Sequence, residues 1–348
     1  MTDVRRGSTV LVTGGSGYIG SHTCVELIER GHEVVVVDDY SNSRAAALER
    51  VRDITGVMPV AYRVDVRDET GLAEVFSRHR IDVVIHFAAK KSIPESIRMP
   101  LEYFDVNLTG TINLLKVMCR FDVRGLVYSS SCAIYGDATQ EPLTESDPPG
   151  PTNPYAWSKW ACEQVIEQSC RAHPDLAAIS LRYFNPIGAH PSGLLGEAPT
   201  GTITNLMPHL AQVASGQTPA LDIFGDDYPT PDGTAVRDYI HVLDVAYVHV
   251  LAINHLGKTP DLRIFNIGTG IGTSVMQLRN AFAAASGRDI PYVVQPRRAG
   301  DSAARIADPG KVADTWGWRT TRSLDDMCRD AWRFHCRNPR GYPPSAPY

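Results

Sequence analysis

The chain has few cysteines and none of the spacings that would give them a structural role. Seven occur in 348 residues, and no two form a Cys-x-x-Cys pair. A chain of this length buries a core large enough to fold without disulfides. The cysteines therefore argue against a small cross-linked scaffold and favour a reducing compartment.

Long apolar runs and an excess of basic charge are also missing. No stretch approaches the roughly 20 apolar residues of a membrane-spanning helix, and the charged segment Met1–Ser8 does not lead into the apolar part of a secretory signal. The formal net charge of -5 offers no basic field for nucleic acid or an anionic membrane. We therefore expect a cytoplasmic protein with neither nucleic acid nor membrane as a partner.

The first half of the chain alternates short apolar runs with helix-like stretches. This rhythm is typical of βαβ units, and runs such as Val34–Val37 indicate strands covered by helices on both faces. The predicted strands are Thr9–Thr13, Glu33–Asp38, Pro59–Val64, Val83–Phe87 and Gly125–Ser129. The sequence therefore predicts an α/β fold with a Rossmann-type, doubly wound parallel sheet.

Past Phe184 the chain becomes rich in proline and glycine, which predicts a smaller, loop-rich C-terminal lobe that binds the substrate. We assign residues 1–184 to a dinucleotide-binding domain, with segments around 236–275 expected to return to it. Residues from about 185 to 235 and from 276 to 348 are expected to form the substrate-binding lobe.

A glycine-rich segment directly follows the first predicted strand. Gly14, Gly17 and Gly20 form a G-x-x-G-x-x-G pattern that opens a predicted helix running to Arg30. Glycines at these positions let the backbone turn tightly and approach a pyrophosphate at the helix N-terminus. Because glycine clusters also make ordinary strand-to-helix turns, the motif indicates a dinucleotide site only when the surrounding sequence supports one.

That context is a carboxylate at the end of the second predicted strand. Asp38 stands 18 residues after Gly20, where it can accept a hydrogen bond from a ribose hydroxyl. Its charge also repels a 2′-phosphate, so the predicted cofactor is NAD rather than NADP. Asp39 either adds to that repulsion or caps the strand end. Asp65, after the third strand, either reaches the adenine or forms a turn, and the spacing leaves both interpretations open.

A tyrosine and a lysine four residues apart indicate a second site. Tyr155 and Lys159 lie on one face of a predicted helix that runs toward Arg171. A neighbouring ammonium and a cationic nicotinamide ring would both stabilise a tyrosine phenolate. Upstream, Ser129–Ser131 follows a buried strand and offers hydroxyls to a reacting oxygen. A chance Tyr–Lys spacing and a solvated serine loop are the alternative interpretations.

A series of segments together resembles the UDP-glucose 4-epimerases, a family of extended short-chain dehydrogenases. In chain order these segments are TGGSGYIGSH, HFAA, SSSCAIYG, PYAWSK, LRYFNPIGAHPSG, NLMP, VRDYIHV and RRAGD. They are spread over nearly the whole chain, and several are far more specific than a generic dinucleotide fold.

The resemblance implies roles for individual residues. Ser131 would hydrogen-bond the sugar O4, Tyr155 would be the acid and base, and Lys159 would hold the nicotinamide ribose and lower the tyrosine pKa. The residues expected to bind NAD are Gly14, Gly17, Tyr18, Ile19, Gly20, Asp38, Asp39, Asn42, Ser43, Asp65, Val66, Phe87, Ala88, Lys91, Tyr155, Lys159 and Phe184. Those expected to bind the substrate are Ser131, Tyr155, Asn185, Asn205, Leu206, Arg237, Arg298 and Asp301.

The implied activity is an isomerase reaction of galactose metabolism, the NAD-dependent interconversion of UDP-glucose and UDP-galactose. C4 of the sugar is oxidised to a 4-keto intermediate, the ring turns over, and the carbon is reduced on its opposite face. The C-terminal lobe would bind the UDP-sugar, with guanidinium groups suited to a diphosphate. A homodimer is expected, and the helices of Leu101–Cys119 and Tyr155–Arg171 are candidates for its interface.

Some positions depart from the family pattern. Ala89, Val106 and Ala133 replace residues common in bacterial members, and these changes look tolerable. Arg305 falls where relatives carry the residue that decides whether N-acetylated sugars enter, and we expect its long side chain to restrict the pocket. UDP-N-acetylglucosamine, UDP-pentoses and UDP-uronates remain alternative substrates.

Rival functions require features that this sequence lacks. A nucleotide-sugar 4,6-dehydratase needs an acidic pair after the active-site hydroxyl, whereas Cys132 and Ala133 follow Ser131. A dinucleotide-sensing regulator usually loses the tyrosine, which this chain keeps. His86 and His241 lack ligand-spaced partners, so we expect structural histidines, a packing role for Cys132 and no metal.

Overall fold

The computed structural model describes residues 7–138, 141–199, 203, 205–257, 261–298 and 301–343. The strands are β1 (Thr9–Thr13), β2 (Glu33–Asp38), β3 (Val60–Arg63), β4 (Val83–His86), β5 (Gly125–Ser131), β6 (Ala177–Tyr183), β7 (Asn185–Ile187), β8 (Leu221–Phe224), β9 (Val236–His241), β10 (Leu262–Ile267), β11 (Gly272–Ser274), β12 (Tyr292–Gln295) and β13 (Ala304–Arg305). The α-helices are α1 (Tyr18–Glu29), α2 (Ala46–Thr55), α3 (Glu69–Arg78), α4 (Ile93–Arg98), α5 (Pro100–Phe104), α6 (Gly110–Arg120), α7 (Pro154–Ala172), α8 (Leu206–Ala214), α9 (Val242–His255), α10 (Val275–Ser286), α11 (Gly310–Trp316) and α12 (Leu324–Arg337).

The largest sheet is parallel and has the strand order β10-β6-β5-β4-β1-β2-β3. The chain winds outward from β1 to β3 and then crosses to β4 on the other side of β1. At such a switch point the loops after the two central strands diverge, which leaves a crevice at their carboxyl ends. The predicted Rossmann-type, doubly wound sheet is confirmed.

Both faces of the central strands of this sheet are buried. In β1, Val10 and Val12 belong to the core cluster beneath α1, α2 and α9, whereas Leu11 belongs to the cluster beneath α3, α6 and α7. Each buried side chain of this size contributes about 1.5–3 kcal/mol of hydrophobic stabilisation. The nearly continuous apolar runs of the sequence have this physical cause, because alternate residues of one strand enter different cores.

Some predicted boundaries need correction, most of all at the end of β5. We expected this strand to end at Ser129, but Ser129–Ser131 still pair with Leu181–Tyr183 of β6. The three serines are buried, so they are not a solvated loop. Two of their hydroxyls bond to other buried groups: Ser129 to the hydroxyl of Tyr183, and Ser130 to Glu163. These bonds allow polar residues to continue a buried strand.

Smaller differences occur elsewhere. The strand expected over Pro59–Val64 is β3, Val60–Arg63, and the one expected to reach Phe87 ends at His86. The region Leu101–Cys119 is divided, because a π-helical turn, Asp105–Thr109, joins α5 to α6. A short 3-10 turn, Cys132–Tyr135, follows β5.

The smaller C-terminal lobe has its own core. Leu210, Ile223, Leu278, Phe282 and Met327 lie in one cluster between its helices and strands. In this lobe β8 pairs with β12, and β9 is flanked by β7, β11 and β13. Within the segment 236–275, β10 extends the large sheet beside β6, whereas β9 lies in the smaller one. Within the described ranges, no helix has the length and apolarity to span a bilayer.

Candidate active site

The glycine segment makes a tight turn between β1 and α1 at the switch point. Gly14 has φ +69°, and a Cβ at this position would lie 2.7 Å from the backbone nitrogen of Ala88, which follows β4. A Cβ on Gly20 would lie 2.2 Å from the carbonyl oxygen of Gly14. Since neither separation leaves room for a side chain, the loop packs against α1 and β4 only with glycine at both positions.

The N-terminus of α1 has the features of an anion site. Its N-cap, Gly17, offers no side-chain acceptor, and the first turn, which begins with Tyr18 and Ile19, contains no acidic residue. Beside it, the buried hydroxyl of Ser16 has no hydrogen-bond partner within the described part of the chain. Unpaired N–H groups and an unpaired hydroxyl fit the pyrophosphate of a dinucleotide.

Asp38 orders the loop as well as ending β2. Its carboxylate accepts hydrogen bonds from the backbone N–H of Ser16 at 2.9 Å, the N–H of Tyr40 at 2.9 Å and the hydroxyl of Ser43 at 2.8 Å. Burial raises the pKa of Asp38, and these hydrogen bonds oppose the rise. A carboxylate has about four acceptor positions, so one remains for a ribose hydroxyl. The anchoring of the glycine loop by Asp38 was not predicted.

The two uncertain acidic residues both have partners in their own turns. Asp39 accepts hydrogen bonds from the N–H and hydroxyl of Ser41, in the turn that also contains the exposed Asn42. Asp65 pairs with Arg67 at 2.6 Å, and hydrogen bonds from this guanidinium lower the pKa of Asp65. Both residues therefore stabilise these turns, and their contribution to NAD binding stays a prediction.

The remaining predicted NAD residues lie at the ends of other strands of the large sheet or in the loops that follow them. Val66 is buried after β3, and Phe184 is buried after β6. The ring of Phe87 packs against His249, with 4.6 Å between ring centroids. Lys91 places its Nζ 3.2 Å from Oε1 of Glu197, a carboxylate that sequence reasoning missed.

Helix α7 brings the three predicted catalytic residues together at the end of β5. The hydroxyl of Ser131 lies close enough to that of Tyr155 to oppose the effect of burial on the tyrosine pKa. Ser131 also accepts a hydrogen bond from the N–H of Ala133 at 3.1 Å, which fixes its hydroxyl. One turn along α7, the ammonium of Lys159 donates to the carbonyl of Ser129 at 2.8 Å. The group lies at the sheet edge where this fold binds ligands.

Burial dominates the electrostatics of this group. Burial raises the pKa of Tyr155 to about 12, although the hydrogen bond from Ser131 opposes the rise. Burial also lowers the pKa of Lys159 to about 8. That Lys159, together with the cationic ring of bound NAD, lowers the tyrosine pKa remains a prediction.

Sequence reasoning missed a buried carboxylate one turn further along α7. Glu163 accepts hydrogen bonds from the hydroxyls of Ser130 and Ser180, each at 2.7 Å, and pairs with Arg182 at 2.5 Å. Glu163 follows Lys159 by four residues, just as Lys159 follows Tyr155. This repeated spacing could have predicted that Glu163 lies on the same face of the helix.

Three predicted substrate residues form one cluster in the second lobe. Asp301 lies 3.8 Å from Arg237 and 3.2 Å from Arg298. Arg237 also donates to the carbonyls of Val236 and Ser302, so its guanidinium is held at one edge of the cluster. Burial, and then the charge of Arg305, lower the pKa of Arg237. Guanidinium groups held in this way suit a diphosphate.

The other predicted substrate residues lie on nearby elements. Asn185 begins β7 beside β9, and its buried Oδ1 has no hydrogen-bond partner among the described residues, as expected of a group that binds a ligand. Asn205 precedes α8, which begins at Leu206, and donates to Glu197. Glu197 thus bonds to one residue predicted for the cofactor and one predicted for the substrate.

Arg305 lies between the two lobes. β13 pairs with β9 so that Arg305 is opposite Arg237. Its guanidinium donates to the carbonyl of Gly136, just after the turn that follows Ser131. A long cationic side chain therefore reaches the loop that follows Ser131.

The two histidines considered as metal ligands are held by neighbouring polar groups. His86 contacts the hydroxyls of Thr13 at 2.6 Å and Thr111 at 3.0 Å, and burial lowers its pKa to about 3. His241 accepts a hydrogen bond from the N–H of Leu243. In the ranges that the structure covers, no group of three or more His, Cys, Asp or Glu is placed to hold a metal.

Comparison with known proteins places this architecture in a family. Residues 10–268 match the NAD dependent epimerase/dehydratase family. Over 335 residues the chain is 50% identical to the UDP-glucose 4-epimerase of Yersinia pestis, an alignment that covers 96% of this chain and 99% of that protein. The chain belongs to the UDP-glucose 4-epimerase family. It is therefore an NAD-dependent enzyme of the isomerase class, and the identification made from sequence segments is confirmed.

Solved structures support the same assignment. The UDP-glucose 4-epimerase from Bifidobacterium longum, in complex with NAD+ and UDP, has a TM-score of 0.93 and 47% identity, covering 96% of this chain and 100% of that one. The enzyme from Stenotrophomonas maltophila, with bound NAD and formylated UDP-arabinopyranose, has a TM-score of 0.92 and 47% identity, covering 95% of this chain and 98% of that one.

The close approach of Gly20 to Gly14 generates a prediction about NAD. In Gly20→Ala the new Cβ pushes the loop away from α1, so we expect NAD affinity to fall by about tenfold or more. The NAD content of the purified protein, measured after denaturation, checks this. The control is Gly287→Ala, which has φ +65° and open space around it, and which loses about 1 kcal/mol of stability away from the loop. Equal NAD content in the two variants would contradict the assignment of the loop.

Proposed function

We propose that the protein interconverts UDP-glucose and UDP-galactose, with Ser131, Tyr155 and Lys159 as its catalytic residues. The observation that carries the proposal is the grouping of Ser131, Tyr155 and Lys159 at the carboxyl end of a central parallel strand, where Ser131 accepts from the N–H of Ala133 and Lys159 donates to the carbonyl of Ser129. The reaction is the one named for the relatives from Yersinia pestis and Bifidobacterium longum.

The side chains suit a proton transfer at the sugar O4. Tyr155, with a pKa of about 12, is protonated near neutral pH, and Ser131 can hydrogen-bond the same oxygen. Lys159, with a pKa of about 8, is mostly charged at that pH and stabilises a developing phenolate. When bound, NAD supplies the acceptor and then the donor of the C4 hydride, and its cationic ring adds positive charge that lowers the tyrosine pKa.

Inversion requires the sugar to present its other face to the same residues. Contacts concentrated on the nucleotide allow this turn, because a tightly held hexose could not reorient. The proposed contacts follow that division: Arg237, Arg298 and Asp301 serve the nucleotide, with Asn185, Asn205 and Leu206 nearby. The hexose meets mainly Ser131 and Tyr155.

The domain assignment is part of the proposal. Residues 1–184, with returning segments around 236–275, would bind NAD, and the rest would bind the UDP-sugar. The reaction would serve galactose metabolism in the cytoplasm. All seven cysteines are free thiols, as a reducing compartment favours.

An assay without added cofactor tests the function. We expect the purified protein to convert UDP-galactose to UDP-glucose, since a hydride removed and returned leaves NAD unchanged. In Tyr155→Phe we expect normal NAD content and turnover lower by on the order of 100 to 10,000-fold, because the general acid and base is lost. Both sugars are followed by chromatography.

Two outcomes would each contradict one part of this proposal. Wild-type protein that holds NAD and yet produces no UDP-glucose would remove the epimerase activity. Near-normal turnover in Tyr155→Phe would show that another residue moves the proton. The matched control is Tyr62→Phe, whose hydroxyl bonds to His79 outside the site.

Other UDP-sugars are the alternative substrates, and Arg305 is the residue we propose to exclude N-acetylated ones. Its guanidinium, held by Gly136, would take up space beside Ser131. We expect UDP-glucose to be preferred over UDP-N-acetylglucosamine. In Arg305→Ala we expect the ratio of kcat/KM for UDP-glucose to kcat/KM for UDP-N-acetylglucosamine to fall about tenfold or more. Comparable rates for both sugars with wild-type protein would end the idea. UDP-arabinose and UDP-galacturonate belong in the same assay series.

We also infer a homodimer, formed through α5 and α7. Exposed apolar side chains gather where α4 and α5 pack against α7: Ile97, Met99, Leu101 and Trp157. Leu101 is 83% exposed, and a patch of this kind marks interaction surfaces.

A charge in this patch tests the dimer. We expect Leu101→Asp to halve the molar mass measured by light scattering, because a carboxylate resists burial in an apolar interface. Ile271, 66% exposed in the second lobe, provides the control as Ile271→Asp. A wild-type monomer, or an unchanged mass in Leu101→Asp, would refute this interface.

A further inference from the structure

Helix α7 contacts the end of β5 through three successive turns of one face. Tyr155 lies against the side chain of Ser131, Lys159 donates to the backbone of Ser129, and Glu163 accepts from the side chain of Ser130. Three residues spaced by four on the helix thus engage three consecutive residues of the strand. The first two contacts belong to the proposed catalytic group, and the third has no assigned purpose.

The third contact is the most deeply buried of the three. Ser130 is 1% exposed and Glu163 is fully buried. The same carboxylate receives three further donors: the hydroxyl of Ser180, and Nε and Nη2 of Arg182. Buried groups with all partners in place have one arrangement, because each lost bond would leave a polar atom unpaired.

This network also extends away from α7. Arg182 donates to the hydroxyl of Tyr135 at 3.1 Å, and that hydroxyl donates to Asn266 at 2.7 Å. Tyr135 ends the short turn that begins directly after Ser131. Glu163 is therefore bonded to the residue before the catalytic serine and, through Arg182, linked to the turn after it.

We propose that Ser130 and Glu163 are positioning residues for the reaction, and that their hydrogen bond holds the end of β5 in register with Tyr155 and Lys159. The inference rests on the proposed function, because it concerns how the catalytic group is aligned. Small displacements of reacting groups reduce rates strongly. The charge of Glu163 also favours the protonated form of Lys159 against burial.

Two serines provide a matched test. Ser130 and Ser180 are both buried and both donate to Oε1 of Glu163 at 2.7 Å. Ser130 adjoins the catalytic serine, whereas Ser180 lies on β6 opposite Tyr128, further from the end of the strand. Ser130→Ala and Ser180→Ala each remove one such bond, so their losses of stability should be similar. Only Ser130→Ala should disturb the catalytic group.

The readouts are kcat per NAD-loaded subunit, KM for UDP-galactose, affinity for UDP and Tm. For Ser130→Ala we expect kcat to fall about tenfold, with KM and UDP affinity within about twofold of wild type. For Ser180→Ala we expect kcat within about twofold, at a similar loss of Tm. If Ser130→Ala does not fold, Ser130→Cys and Ser180→Cys replace the pair.

Equal losses of kcat in the two variants, or wild-type kcat in Ser130→Ala, would overturn the inference, because the bond would then serve stability alone. Failure of the proposed function appears differently, as an inactive wild-type protein. The UDP affinities and Tm values remain measurable in either case, so folding and binding defects are separated from misalignment.

Discussion

The central strands of the parallel sheet are covered by helices on both faces, so a ligand can reach them only at their ends. This constraint determines where the candidate site lies. Val10, Leu11 and Val12 enter cores on opposite sides of β1, so the middle of the strand offers nothing to a cofactor. The chain reverses its winding between β1 and β4, and the two loops part there. The glycine turn, the end of β5 and the first turns of α7 all lie at this carboxyl edge.

Close packing at that edge depends on glycines, which have no side chain, and on buried hydrogen bonds. Because Gly14 and Gly20 have no Cβ, the glycine loop can pack closely against α1 and against the chain that follows β4. Asp38 ties the loop to β2 through Ser16. Further along, Glu163 joins α7 to β5, β6 and Arg182. The carboxylates of Asp38 and Glu163 can be buried here because each accepts several hydrogen bonds.

Burial also determines the protonation of the proposed catalytic group. It raises the pKa of Tyr155 to about 12 and lowers that of Lys159 to about 8, since both charged forms lose solvation. The protein by itself thus keeps Tyr155 protonated near neutral pH. In the second lobe, Arg237 and Arg305 lie side by side, with Asp301 3.8 Å from Arg237. Like charges held together favour an anionic ligand, which suits a nucleotide diphosphate.

The sequence by itself determined the fold class, the cofactor and the family, because the glycine spacing, Asp38 and the Tyr155–Lys159 pair are local patterns over short stretches of chain. Only the tertiary structure decided that Ser129–Ser131 remain in β5, that Glu163 bonds to Ser130, and that burial raises the pKa of Tyr155. The same holds for the place of Arg305 opposite Arg237. These features join residues distant in sequence, and their energies depend on desolvation, which exists only once the chain has folded.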